Sequence, residues 1–302
     1  MEESKTRNLI ILGNGFDLDL GLDTSFSTFV KSYEFRQLPR ISFIQDMSAN
    51  NWSDVEGCIR NSLMEYSRHP NATESERINH AWQTLERAWG RFLPSQIEQS
   101  KIEIKKDSCA FALLSNEQVQ AEWYSFNYTH PRYLCRLEGD EPICIHNDCV
   151  EHDFANRNGL MYPVSKNLII GVDTAVPENI REDTNLRHII KKRNTQYQDV
   201  SIMDKMRECE VLVLFGHSMG ITDSDYFRDF FSCCMSGLYH KKAIYIVTKD
   251  KDSLEGIKKN LQLYGVDYDR LVWSDNRIIP VYTAEGKDSQ RFRSMLTTLS
   301  NQ

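Results

Sequence analysis

The sequence predicts an α/β protein: a three-layer, mostly parallel sheet of the Rossmann type, with a helical subdomain inserted after the first strand. Three observations carry that expectation. The chain opens on a short apolar run, residues 8–12, that breaks directly into a Gly-x-Gly turn at Gly13 and Gly15. Such a run bounded by glycine reads as a buried parallel strand, and the turn lets backbone N–H groups approach an anionic ligand. From residue 119 onward, short apolar runs alternate with turns and helical segments, as in a sheet covered by helices on both faces. Between these regions, residues 27–118 carry helical signals and few strand signals.

Taken in order, strands are expected at 8–12, 123–126, 168–172, 211–215, 243–248 and 278–282, with 271–273 as an extra edge. In the insertion, Ser53, Asp54, Val55 and Glu56 fit a capping box, after which Val55, Ile59 and Leu63 share one helical face. From Asn79 to Glu98 the apolar stripe is Trp82, Leu85, Trp89, Phe92 and Leu93, read as core. The domain division that follows is a nucleotide-binding core of residues 1–26 and 119–302 around an insertion of 27–118.

The 302 residues are 40% hydrophobic, enough for a sizeable core, and carry a net charge of −7. That charge argues against wholesale binding to nucleic-acid backbones, and Lys191-Lys192-Arg193 reads as a solvated helix face. No segment has the length of a membrane span or of a signal-peptide core, so a cytoplasmic protein without membrane contact is expected. The eight cysteines show no Cys-x-x-Cys spacing and read as reduced thiols, with Cys233 and Cys234 as packing residues.

Residues capable of chemistry stand at several expected strand ends: Asn127; Gly171 and Asp173; Gly216, His217 and Ser218. In open parallel sheets ligands bind at the carboxyl ends of strands, so these residues are expected to converge with Gly13, Asn14 and Gly15. Gly216-His217-Ser218-Met219-Gly220 matches the Gly-x-Ser-x-Gly nucleophile elbow, but only His240 follows Ser218, too early to complete a triad in hydrolase order. Ser218 is therefore read as a phosphate or ribose contact. Asp17, just past the glycine turn, either meets a ribose hydroxyl or stabilises the following helix. Cys144, His146, Cys149 and His152 fall within nine residues but lack the two-pair spacing of zinc sites, so no metal is expected.

The opening, LGNGFDLDLGLDTSFSTFV over residues 12–30, resembles the signature of the AbiH family, bacterial proteins linked to abortive phage infection. The segment from Trp52 to Glu56 is similar to one typical of that family. The resemblance implies antiphage defence, with a phage trigger or partner protein; the oligomeric state stays open. A remoter similarity is to sirtuin-type domains, including NAD-cleaving antiphage ones: a glycine turn, an asparagine beyond a strand, a histidine, then Gly-x-Ser with an acid shortly after. Gly13 and Gly15, Asn127, His146, and Gly216-His217-Ser218 with Asp223 or Asp225 occur in that order.

What this second similarity implies is a sirtuin-like sheet that binds NAD or a related dinucleotide. Gly13, Asn14, Gly15, Asp17, Gly216, His217, Ser218, Asp223 and Asp225 would contact the ligand. Asn127 would position water or ribose hydroxyls, and His146 would act as general base in releasing nicotinamide. One departure stands out: Asn147 follows His146 where glycine is usual. A nucleotide-sensing module without turnover is the alternative that this departure supports.

Overall fold

The computed structural model describes residues 8–38, 55–100, 104–147, 153–157, 160–164 and 168–300. Strands in the described residues are β1 (Asn8–Leu12), β2 (Glu122–Ser125), β3 (Ile143–Cys144), β4 (Asp153–Arg157), β5 (Leu160–Val164), β6 (Val211–Phe215), β7 (Ala243–Thr248) and β8 (Arg277–Tyr282). Six of them form one sheet in the order β3-β2-β1-β6-β7-β8, with every neighbouring pair parallel. β4 and β5 form a separate antiparallel hairpin. The α/β class expected from the sequence is observed.

By backbone contact the chain divides into two units: Met1–Leu22, Lys101–Ile145 and Asp199–Gln302; and Asp23–Ser100 with His146–Gln198. The boundaries differ from those drawn on the sequence, for residues 146–198 go with the helical segment. Residues 104–114 go with the sheet, tied to it where Lys105 N donates to Leu20 O at 2.8 Å and Ala110 N donates to Asp19 Oδ2 at 2.8 Å.

In the sheet unit the strand order reverses between β1 and β6, which pair from Asn8 opposite Val211 to Leu12 opposite Phe215. Both strands are buried along their whole length, the reason they read as continuous apolar runs rather than alternating ones. Right-handed crossovers leaving in opposite directions from such a pair place helices on opposite faces and part the loops at the carboxyl ends.

At this reversal the loops after β1 and β6 touch backbone to backbone. Gly13 N donates to Phe215 O and Gly15 N to Gly216 O, each at 2.8 Å. A Cβ on Gly13 would stand 2.5 Å from His217 Cα, and one on Gly15 would stand 2.7 Å from Gly216 Cα. Gly216 has φ +67°, and a Cβ there would lie 2.3 Å from Phe16 N. These glycines are demanded by the approach of two chain segments, and the Gly13 and Gly15 amides are spent on main-chain carbonyls.

In the second unit the helices Val55–Tyr66 and Ala72–Ser100 bury the faces expected of them: Val55, Ile59 and Leu63 on one, Trp82, Leu85, Trp89, Phe92 and Leu93 on the other. Phe29 sits edge-on to Trp89 with ring centres 5.0 Å apart, anchoring the helix Phe26–Phe29. Ser53 and Asp54 of the expected capping box, and Cys149 and His152 of the weighed metal cluster, lie outside the described residues.

Three expectations are corrected. Residues 168–172 are buried but form no strand, meeting another segment at a single bridge, Val172 to Ile190. Side chains satisfy the backbone there instead: Gly171 N donates to Glu56 Oε1 at 3.1 Å, and Trp82 Nε1 donates to Ile170 O at 3.1 Å. Residues 271–273 belong to the helix Tyr268–Trp273, started by Asp267, whose side chain accepts from Arg270 N. Lys191 is not on a solvated face; it is 2% exposed and pairs with Glu56 at 2.7 Å.

Gly216→Ala should lower unfolding stability by at least about 2 kcal/mol, since it adds a left-handed alanine to a contact with no room for Cβ. Chemical denaturation measures this; a wild-type midpoint would contradict the described packing.

Candidate functional site

A cavity of about 760 Å³ lies at the carboxyl edge of β6, β7 and β8 in the sheet unit. The ends of those strands supply Gly216, His217 and Ser218, then Thr248 and Lys249, then Thr283. The helix Asn14–Leu20 contributes Gly15, Leu18 and Asp19, and the segment before the helix Cys109–Leu114 contributes Lys105, Asp107 and Ser108. The helix Lys251–Leu263 closes it with Ser253, Gly256, Ile257 and Asn260.

Helical geometry selects the acid that reaches this space. Gly15, Leu18 and Asp19 fall on one face, whereas Asp17 is turned roughly 200° from Gly15 and from Asp19. Asp17 is 1% exposed and accepts hydrogen bonds from Asn127 Nδ2 at 2.9 Å and Thr129 Oγ1 at 2.9 Å. Asn127 Nδ2 also donates to Gly13 O at 3.0 Å. Asp17, Asn127, Thr129 and Gly13 thus form a buried network that ties the loop after β2 to the turn after β1. Asp19 faces the cavity with Oδ2 held by the Ala110 amide; its burial pushes its pKa up, against the Ala110 hydrogen bond, the Thr283 hydroxyl and the Lys105 charge.

At the end of β6, Met219 N donates to His217 Nδ1 at 2.9 Å, which places the neutral ring's proton on Nε2, 3.6 Å from Asp223 Oδ2. Phe126 and Phe227 pack on this imidazole with ring centres 4.4 Å and 4.8 Å away. The turn is held from outside by Asn260 Nδ2 donating to Ser218 O at 2.8 Å and Tyr264 OH donating to Met219 O at 3.1 Å. His240, the histidine downstream of Ser218, lies at the sheet's opposite edge: its Nε2 is 3.0 Å from Cys209 O and 3.1 Å from Lys242 Nζ, just before β6 and β7. It cannot serve as base for Ser218.

Of the residues singled out from sequence, Gly15, Gly216, His217 and Ser218 share the cavity. Gly13, Asp17 and Asn127 belong to the buried network beside it, and Asn14 begins the helix exposed. Asp223 and Asp225 stand at the start of the helix Ser224–Met235, where acidic groups favour the helix dipole. His146 belongs to the second unit and is 3% exposed, its carbonyl accepting from Ile169 N at 3.1 Å. Asn147 has φ +61°, the left-handed conformation glycine favours and asparagine tolerates, so the departure from glycine preserves the backbone shape. Glu56 is engaged in the same unit by Gly171 N and Lys191.

Sequence reasoning passed over Asp19, Lys105, Thr248, Lys249 and Thr283. Thr248 and Thr283 end or follow strands that were expected, so the strand-end rule that selected Asn127 would have found them. Asp19 is found by stepping four residues from Gly15 along the helix.

Because Asp19 binds its proton more tightly in the folded chain, stability should fall as pH rises from the ordinary carboxylate range through its raised value. Asp19→Asn should remove that loss, melting higher than wild type at pH 7 and equally near pH 3. A variant no more stable at pH 7 would show that Asp19 is not held in a desolvated position.

Among the described residues no helix is long and apolar enough to cross a membrane. Neither a curated protein nor a solved structure matches the chain. The family described as bacteriophage abortive infection AbiH matches residues 9–237, more than half the chain, from β1 through the glycine turn after β6 to the end of the helix Ser224–Met235. The chain belongs to the AbiH family, which points to a role in abortive-infection defence against phage.

Proposed function

We propose that this AbiH protein binds a nucleotide at the carboxyl edge of its sheet, with NAD as the leading ligand. The observation that carries the reading is the cavity of about 760 Å³ beside the strand-order reversal of an all-parallel 3-2-1-6-7-8 sheet. Its size lies within the range of small-molecule sites, and that edge of such sheets is where their ligands sit. The lining suits a nucleotide: ammonium groups at Lys105 and Lys249 for phosphate, hydroxyls at Ser218, Thr248 and Thr283, and the Asp19 carboxyl for a hydroxyl or amine.

Hydrolysis of NAD to nicotinamide and ADP-ribose is the reaction we attach to this site, following the sirtuin-type order of residues. A second reading, nucleotide sensing without turnover, is favoured by one observation. Both amide hydrogens of Asn127 are donated within the protein, to Gly13 O and Asp17 Oδ1, which makes this side chain part of the scaffold.

Incubation of purified protein with NAD, followed by chromatography, should release nicotinamide and ADP-ribose. NAD binding without nicotinamide release selects the sensor. Absence of both binding and release overturns the proposal.

A further inference from the structure

Charges of both signs line the cavity, and they are unequally placed. Lys105, Asp107 and Lys249 are exposed, whereas Asp19 is half-buried in the wall, with its Oδ2 held by the Ala110 amide at 2.8 Å. Among the described residues no ion pair joins Asp19 to Lys105 or Lys249, so the two signs do not cancel by contact. The complement of such a lining is a ligand that itself carries both signs.

Burial pushes the Asp19 pKa up, and neither the Lys105 charge nor the hydrogen bonds from Ala110 and Thr283 offset it. A carboxylate so placed gains from a positive group brought beside it. Leu18, the residue before it on the same helix, also lines the cavity and is 42% exposed, leaving an aliphatic surface that a flat ring can cover. The exposed ammonium groups of Lys105 and Lys249 suit phosphate, which prefers to keep part of its hydration.

Resting on the nucleotide reading above, we infer that the cavity selects a nucleotide of mixed charge, whose phosphates meet Lys105 and Lys249 and whose cationic ring covers Leu18 with its charge beside the Asp19 carboxylate. For NAD that ring is the oxidised nicotinamide, a pyridinium. Asp19 is then the specificity-determining residue that separates the oxidised from the reduced dinucleotide. The dihydro ring of NADH is uncharged, while the phosphates and riboses are common to both forms and contribute nothing to the difference.

Calorimetric titration of NAD⁺ and of NADH into wild type and Asp19→Asn, with a melting temperature for each protein, is the test. Where turnover is seen, the carbocyclic analogues of both forms, which cannot be hydrolysed, replace them. Wild type should bind the oxidised form at least about fivefold more tightly than the reduced one, the scale of one charge acting on a partly desolvated partner. Asp19→Asn keeps the shape of the side chain and should bring that ratio to about one, by weakening the oxidised form and not the reduced one. A smaller wild-type ratio, or the same ratio in folded Asp19→Asn, overturns the role of Asp19 while the nucleotide reading stands. If wild type binds neither form, the NAD reading fails and the selection with it. Should Asp19→Asn melt well below wild type, the wild-type ratio alone decides.

Discussion

The contact on which the sheet unit depends is the meeting of two main-chain segments at the strand-order reversal, where the turn after β1 lies against the turn after β6. The amides of Gly13 and Gly15 are satisfied by Phe215 and Gly216 carbonyls, and no Cβ fits at Gly13, Gly15 or Gly216. Because these turns are locked together, the helix Asn14–Leu20 leaves β1 in one orientation. Asp17 is then turned into the network with Asn127 and Thr129, and Asp19 into the cavity. Placement of two acids only two residues apart in opposite environments follows from helical geometry once that start is fixed.

The glycine signature therefore has a physical meaning different from a phosphate cradle. In dinucleotide-binding turns the backbone amides face the pyrophosphate; here those of Gly13 and Gly15 are used within the protein. What the glycines secure is the neighbouring space, bounded by strand ends at Gly216–Ser218, Thr248–Lys249 and Thr283 and by the helix Lys251–Leu263. The family match ends at residue 237, so the first part of this wall lies inside the matched region and β7, β8 and their helices beyond it. The opening glycine motif and the cavity wall are thus separate parts of one architecture, joined by the β1–β6 pairing.

Much of the sheet is legible from the chain alone because central parallel strands are buried on both faces: residues 9–12, 211–215 and 243–247 are continuous apolar runs and leave little alternative. The same rule misreads residues 168–172, whose burial is equally complete but whose backbone is satisfied by the Glu56 and Trp82 side chains. Composition cannot distinguish these cases, since the partners lie about a hundred residues away. β3 is two residues long with Ile143 half exposed, too short to carry a pattern. At the site, the glycines and His217-Ser218 announce themselves by motif. Asp19, Thr248 and Lys249 do not; they line the cavity because of the direction a helix or strand end faces.

Hydrogen–deuterium exchange with and without NAD tests the central claim, that the carboxyl edge of β6, β7 and β8 is a nucleotide site, most directly. The account predicts ligand-dependent protection of the amides of 216–219, 248–257 and 283–284. The segment of β3, on the far edge of the sheet, should be unchanged. Protection confined to residues outside the cavity wall, or no change at saturating NAD, would contradict it.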